Sequence, residues 1–244
     1  MKKIVLLASA TLAALVAPAH AALVTTASLF TAQPAAGATT TVISLQGLAA
    51  PSQGTVNGTG YTISFNTPAD QGVVQGDLAN RDAVPSAGIS GGQETYLVGD
   101  FGSAQTTNIA QSGKYLSTGG AGSTIRITFA APQTSLALLW GSIDASNQIA
   151  FNNATNDVLT GATVQALAAG FVSNGFQGPG GSAYVSTTSS STFTTVTLSS
   201  GVISFEATAL VGSNTPFNTN VPEPMSIALM GMGLLGLGMV RRRA

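Results

Sequence analysis

Eight carboxylates in the interior of this 244-residue chain are the side chains best equipped for chemistry: Asp70, Asp77, Asp82, Glu94, Asp100, Asp144, Asp157 and Glu206. Two of them facing each other across a cleft would supply the acid and the base of a carboxylate-based glycan hydrolase. Nothing in their spacing pairs them. Asp144 with Asn147, and the loop from Asp77 to Asp82, offer the oxygen donors that calcium takes. These are weak metal candidates, because no EF-hand or RTX spacing surrounds them. Turn capping by Asx side chains accounts for Asp144 and Asn147 more simply. Sugar stacking needs exposed aromatic faces, and Tyr96 and Tyr115, beside Gly-rich loops, are the candidate platforms. Trp140 ends an apolar run and is expected in the core. No catalytic residue and no cofactor is assigned.

The rest of the composition narrows the choice further. The chain contains no cysteine and one histidine, His20. That removes disulfides, thiolate chemistry and histidine metal sites. Charged residues are only 7% of the chain and the formal net charge is -1. So few Lys and Arg build no basic stripe for nucleic acid. An apolar content of 44% argues against disorder, and the length suits one domain with a real core.

The two ends read as address signals. Residues 1–21 combine Lys2-Lys3, an apolar run from Ile4 to Ala17 and a small-residue exit ending at Ala21 and Ala22. This is the three-part pattern of a secretory signal peptide, which implies the Sec translocon and signal peptidase as partners. At the other end, polar residues 212–220 form a linker to Val221-Pro222-Glu223-Pro224. An apolar run from Met225 to Val240 and the cluster Arg241-Arg242-Arg243 follow. Sixteen helical residues span about 24 Å, short of a hydrocarbon core of roughly 30 Å, so a transmembrane helix here is marginal in length. The arginines place the C-terminus in the cytoplasm and the body of the protein outside. Gly231-Met-Gly233-Leu-Leu-Gly236 spells a dinucleotide-binding pattern, but no βαβ context surrounds it.

The tail at 221–244 resembles the PEP-CTERM sorting region of exosortase substrates. The resemblance rests on Pro222-Glu223-Pro224, the Gly- and Leu-rich span and the terminal arginines in that order. It implies a cell-surface or extracellular protein, anchored transiently in the inner membrane until a membrane-embedded exosortase cuts near the Pro-Glu-Pro. Two prolines keep that segment extended and delay the helix. The stretch from Lys114 to Gly119, Trp140-Gly-Ser-Ile-Asp144, Asn147 and Ile149–Phe151 is similar to a family of exosortase-dependent surface proteins. That resemblance implies export and a β-rich fold.

Between the ends, residues 22–211 alternate with period two. Ile125, Ile127 and Phe129 share a face, as do Tyr61, Ile63 and Phe65, and Ile203, Phe205, Ala207, Ala209 and Val211. Further strands are predicted at 23–30, 40–48, 94–98, 135–141, 148–152, 183–186 and 192–199. Breakers at 50–54, Ala131-Pro132 and 177–182 separate them. Residues 136–140 are apolar on both faces and should form a central strand. Residues 162–169 read equally as strand or helical turn. The predicted class is all-β, an antiparallel β-sandwich or jelly roll. The 55 Ser and Thr residues keep its outer face wet. Once both ends are removed, three basic residues face eight acidic ones, a net of -5. The reading is a non-enzymatic structural or adhesive protein of the surface or extracellular matrix. A carbohydrate-binding module for exopolysaccharide is the alternative.

Cleavage after Ala21 predicts an exported chain that begins at Ala22 and has lost Lys2, Lys3 and His20. N-terminal sequencing of the exported protein checks it; a start upstream of Ala19 would contradict it.

Overall fold

The computed structural model describes residues 23–28, 40–45, 47–76, 82–85, 87–88, 94–95, 114–168, 170–171, 175 and 179–217. The described residues form β1 (Val24–Ser28), β2 (Thr40–Val42), β3 (Thr55–Gly58), β4 (Tyr61–Asn66), β5 (Gly72–Gln75), β6 (Ala87–Gly88), β7 (Glu94–Thr95), β8 (Lys114–Ser117), β9 (Thr124–Gly141), β10 (Gln148–Phe151), β11 (Val158–Thr160), α1 (Gly161–Leu167), β12 (Ala183–Ser199) and β13 (Glu206–Ser213). Eleven strands belong to one antiparallel sheet, and β6 and β7 pair separately. The fold is mostly antiparallel β, as the alternation implies, and the large sheet is curled.

Its axis is the ribbon of β9 and β12, paired from Ala183 opposite Trp140 to Ser199 opposite Thr124. The first half of β9 is flanked by β4, which pairs as far as Phe129, and the second half by β13, which pairs from Ser135 onward. On the far side, β12 is flanked by β1 along its first half and by β10 along its second. Each half of the ribbon therefore seeds its own row of strands. Both rows turn their inner faces to one core, which holds Ile125, Ile127 and Phe129 together with Leu136, Leu138 and Trp140.

That arrangement requires a change of phase, since the inward residues of β9 are odd-numbered before the bend and even-numbered after it. Period-two alternation puts them on opposite faces unless the strand slips by one residue. The slip occurs at the exposed residues Ala130, Ala131 and Pro132. In β12 it falls at the irregularity between Thr188 and Thr195, where Phe193 is still inward and Val196 and Leu198 continue. Such bulges bend and re-aim strands. Ala131-Pro132 is thus not a break between strands, contrary to expectation. Pro132 lies between the β4 and β13 ladders, where its missing N–H removes no cross-strand bond. For the same reason the segments predicted at 183–186 and 192–199 are one strand.

A third slip corrects the face assigned to residues 203–211. Ala209 sits at φ 52°, a left-handed conformation uncommon for alanine, and the register of β13 shifts between Thr208 and Val211. Ala207 and Leu210 consequently share the main core, while Ala209 joins Leu139 and Tyr184 on the other face. Ile203 precedes the strand and is exposed. The residues expected to begin a polar linker at 212 include the end of β13, and Phe217 is buried against Ala137 and Val211. A phenylalanine five residues before the prolines gives the chain an apolar reason to stay docked.

Of the predicted strand 23–30, Val24–Ser28 is strand and 29–30 lie outside the described residues; of 40–48, Thr40–Val42 is strand and residues 43–45 and 47–48 are not. The ambiguous 162–169 segment is α1, started by Thr160, whose hydroxyl accepts the Thr163 N–H at 3.2 Å. The central segment 136–140 is buried throughout, as its two apolar faces imply. At the bend Phe193 meets Phe129 and Phe151 edge-on, at centroid distances of 6.1 and 5.0 Å. Neighbouring strands are stitched by hydroxyl pairs, Thr25 of β1 with Thr187 of β12 and Ser135 of β9 with Thr188 of β12, each at 2.9 Å.

Phe193→Ala should cost about 3–5 kcal/mol, the usual range for emptying a buried phenylalanine site. Pro132→Ala at the exposed bend should fall within about 0.5 kcal/mol of wild type. Chemical denaturation of the two variants checks the contrast, and equal losses would mean the bend is held some other way.

Candidate functional site

The described residues gather polar chemistry at one place, where β5, β8 and β13 meet the end of β9. Pairing sets Gly72 opposite Ser117 and Ser117 opposite Glu206, so Gln71, Ser117 and Glu206 converge. Asp82 enters from the segment 82–85 and is buried. Its Oδ2 accepts the Gln71 amide at 2.8 Å, and its Oδ1 accepts the hydroxyls of Ser117 at 2.6 Å and Ser204 at 2.9 Å. Beside it, Ser142 donates to Glu206 Oε2 at 2.5 Å. Ser142 holds this position at φ 30°, a strained backbone for serine.

Two glycines make the approach possible. A Cβ on Gly141 would come within 2.8–2.9 Å of Pro85, so only glycine lets the 82–85 segment lie against the end of β9. A Cβ on Gly119, which also sits at φ 74°, would strike the Gln71 side chain. Trp140, just before Gly141, stacks on Phe205 at 4.5 Å and closes the apolar side. The Trp140–Asp144 motif is thus a structural corner, each residue with a separate packing task.

Glu206 is 1% exposed, and burial is the main cause that pushes its carboxyl well above the usual range. The Ser142 hydroxyl opposes the shift. The charges of Asp82 and Asp144 add to it, and the Ala83 N–H opposes it. Glu206 Oε1 finds no hydrogen-bond partner. A bare carboxylate oxygen there is costly, and a protonated carboxyl is far less so. Asp82 and Glu206 are thus both enclosed and engaged by serine hydroxyls, and Asp82 holds the 82–85 segment in place.

The sequence-derived candidates fare differently. Asp144 and Asn147 do share one tight turn, but a backbone bond closes it, from Asn147 N–H to the Asp144 carbonyl at 3.0 Å. Burial raises the Asp144 carboxyl above its ordinary value. Asn147 is fully buried with neither Oδ1 nor Nδ2 partnered. A cation would satisfy the oxygen and leave the amide donor stranded. Among the described residues no group of three or more His, Cys, Asp or Glu is placed to hold a metal. Asp82, expected in a calcium loop, belongs instead to the buried cluster.

Tyr115 is corrected outright as a sugar platform. It is 1% exposed, and its hydroxyl donates to the Gly76 carbonyl at 2.7 Å, so neither face can meet a ligand. Its inward direction follows from its packing with Val74 and Val84. Trp140 is core, as expected. Tyr96, Asp77, the processing residues Ala21 and Ala22, Pro222, Glu223, Pro224 and Arg241–Arg243 lie outside the described residues. The cluster around Asp82 and Glu206 was missed in the sequence. Its one readable signal was Glu206 itself, an acid set between Phe205 and Ala207 in a chain with few charges.

Residues 220–243 match the family model of the PEP-CTERM protein-sorting motif. No curated protein and no solved structure matches the chain. The chain therefore carries the signal of an exosortase-targeted protein that is exported, anchored in the membrane and delivered to the surface. Among the described residues no helix is long and apolar enough to cross a membrane; the apolar run 225–240 lies outside them.

The raised Glu206 carboxyl sets the sign of a pH effect. The folded state holds this proton more tightly than the unfolded chain, so its contribution is intact below the usual value of 4.5. It is lost as pH climbs through the folded value. Glu206→Gln keeps an acceptor for Ser142 and removes the titration. Melting temperatures measured from pH 4.5 upward should fall more for wild type than for Glu206→Gln; parallel curves would refute the assignment.

Proposed function

We propose that the protein is an exported, exosortase-processed component of the cell surface or extracellular matrix, with a non-enzymatic structural or adhesive role. The match of residues 220–243 to the sorting motif carries the reading for location. For the role, the support is that the polar cluster gathered around Asp82 and Glu206 is buried. Asp82 and Glu206 are each 1% exposed, as expected of a structural cluster and not of a glycan-cleaving pair. In the same reading a signal peptide delivers the chain through the Sec translocon, signal peptidase removes it, and the inner membrane holds the tail until exosortase acts. The curled sheet is then a sandwich-type ectodomain whose two layers are joined by the bent β9–β12 ribbon.

The carbohydrate-binding alternative needs an aromatic platform. Trp140, Tyr61, Tyr115 and Tyr184 are 0%, 7%, 1% and 6% exposed, which leaves Tyr96 to provide it. Calcium at Asp144 would be structural in either case.

The intact mass of the product separates the possibilities. From wild-type cells it should lack Arg241–Arg243, and from an exosortase-deficient strain it should retain them; equal masses would refute processing. Titration of the mature product with purified exopolysaccharide should show no binding at millimolar sugar. Saturable binding would shift the assignment to the carbohydrate-binding module.

A further inference from the structure

The last described residues, up to Phe217, are tied to the sheet. β13 runs to Ser213, between β9 and β2. The Ser213 hydroxyl then accepts the Thr215 N–H at 3.1 Å, turning the chain back toward the sheet. Phe217, 7% exposed, packs on Ala137 and Val211, with Val42 against them. From its Cα to that of Pro222 are five peptide steps, which reach at most about 18 Å even when fully extended. The end of the body around this exit carries Thr40, Thr41, Thr134, Ser213 and Thr215, all uncharged.

We propose that Phe217 is a clamp that sets the working distance between the folded body and the exosortase cut, so that the β2–β13 end faces the membrane-embedded enzyme. The proposal rests on the processing reading above. Released from Phe217 the chain gains slack, because the residues after Ser213 become free tether. Clamped, it holds the Pro-Glu-Pro within about 18 Å of Phe217, beside an exit whose described residues Thr40, Thr41, Thr134, Ser213 and Thr215 bring no charge to the enzyme. Phe217 is a positioning residue: it touches neither the cut bond nor the enzyme's catalytic groups, and acts through tether length alone.

The test uses the full chain in cells that possess the exosortase, with the fraction of product lacking Arg241–Arg243 read by mass. Deleting Asn218 and Thr219 leaves the matched motif intact and shortens the reach to about 11 Å. Because a tether that cannot span its sites loses nearly all effective concentration, processing should drop at least about fivefold. Adding Phe217→Ser to the deletion should restore it to within about twofold of wild type, whereas adding Phe217→Leu, which keeps an apolar plug, should not. Replacing Asn218 and Thr219 by Gly-Ser at unchanged length should leave processing at the wild-type level. Wild-type processing of the deletion chain would overturn the clamp, as would failure of Phe217→Ser to rescue while Phe217→Ser alone is exported and processed. Retained arginines in the wild-type product itself would instead remove the exosortase reading.

Discussion

One constraint governs this molecule: a chain that alternates inside and outside must keep its apolar side facing a single core while it bends. The β9–β12 ribbon meets that constraint by slipping one residue in both strands at the same level. Without the slip, Leu136, Leu138 and Trp140 would point to the opposite face from Ile125, Ile127 and Phe129. The two rows of strands would then have no common interior. The aromatic cluster of Phe129, Phe151 and Phe193 occupies the inside of the bend, where the two rows converge. β13 solves the same problem with Ala209, and its slip brings Ala207 and Leu210 to the core.

These slips also mark where the sequence was legible and where it was not. Within each regular stretch the alternation identified the buried residues: Ile125, Ile127 and Phe129 on one side, and residues 136–140 as a two-sided central strand. What it could not distinguish was a phase change inside a strand from a gap between two strands. Ala131-Pro132 looked like punctuation because proline cannot serve a ladder, yet at a change of partners no ladder bond is required of it. The buried carboxylate cluster was hidden for a different reason. Gln71, Asp82, Ser117, Ser204 and Glu206 are scattered over more than 130 positions, and only the β5–β8–β13 pairing brings them together. Tyr115 misled because a neighbouring Gly-rich loop suggests exposure, and it does lie on the face of β8 opposite the core residue Leu116, but Val74 and Val84 cover it there.

Scarcity of charge shapes the rest. Ser and Thr do the work that Lys and Glu perform on most sheets, wetting the outer face and linking neighbouring strands through hydroxyl pairs. Asn153, within an Asn-Ala-Thr pattern, shows the same economy: its amide donates to Asp157 at 2.7 Å and Ser189 at 2.9 Å, committed wholly to the fold. Two acids, Asp82 and Glu206, go to the interior. There Asp82 ties the 82–85 segment to Ser117 of β8 and to Ser204 just before β13, and Glu206 secures the corner formed by Gly141 and Ser142. A buried carboxyl is expensive to keep unless its oxygens are hydrogen-bonded, and displacing the serine hydroxyls would leave them unsatisfied. The corner therefore favours one arrangement strongly over its alternatives.

The position of β13 between β9 and β2 has a mechanical meaning as well. For a protein attached through its tail, any pull arrives at Phe217 and passes into β13. The strand's hydrogen bonds run perpendicular to its axis. A pull along the axis is then shared as shear among the bonds of both ladders, while a sideways pull would peel them one at a time. Held in that orientation, the same ribbon that organises the core becomes the load path from the cell envelope into the body of the protein.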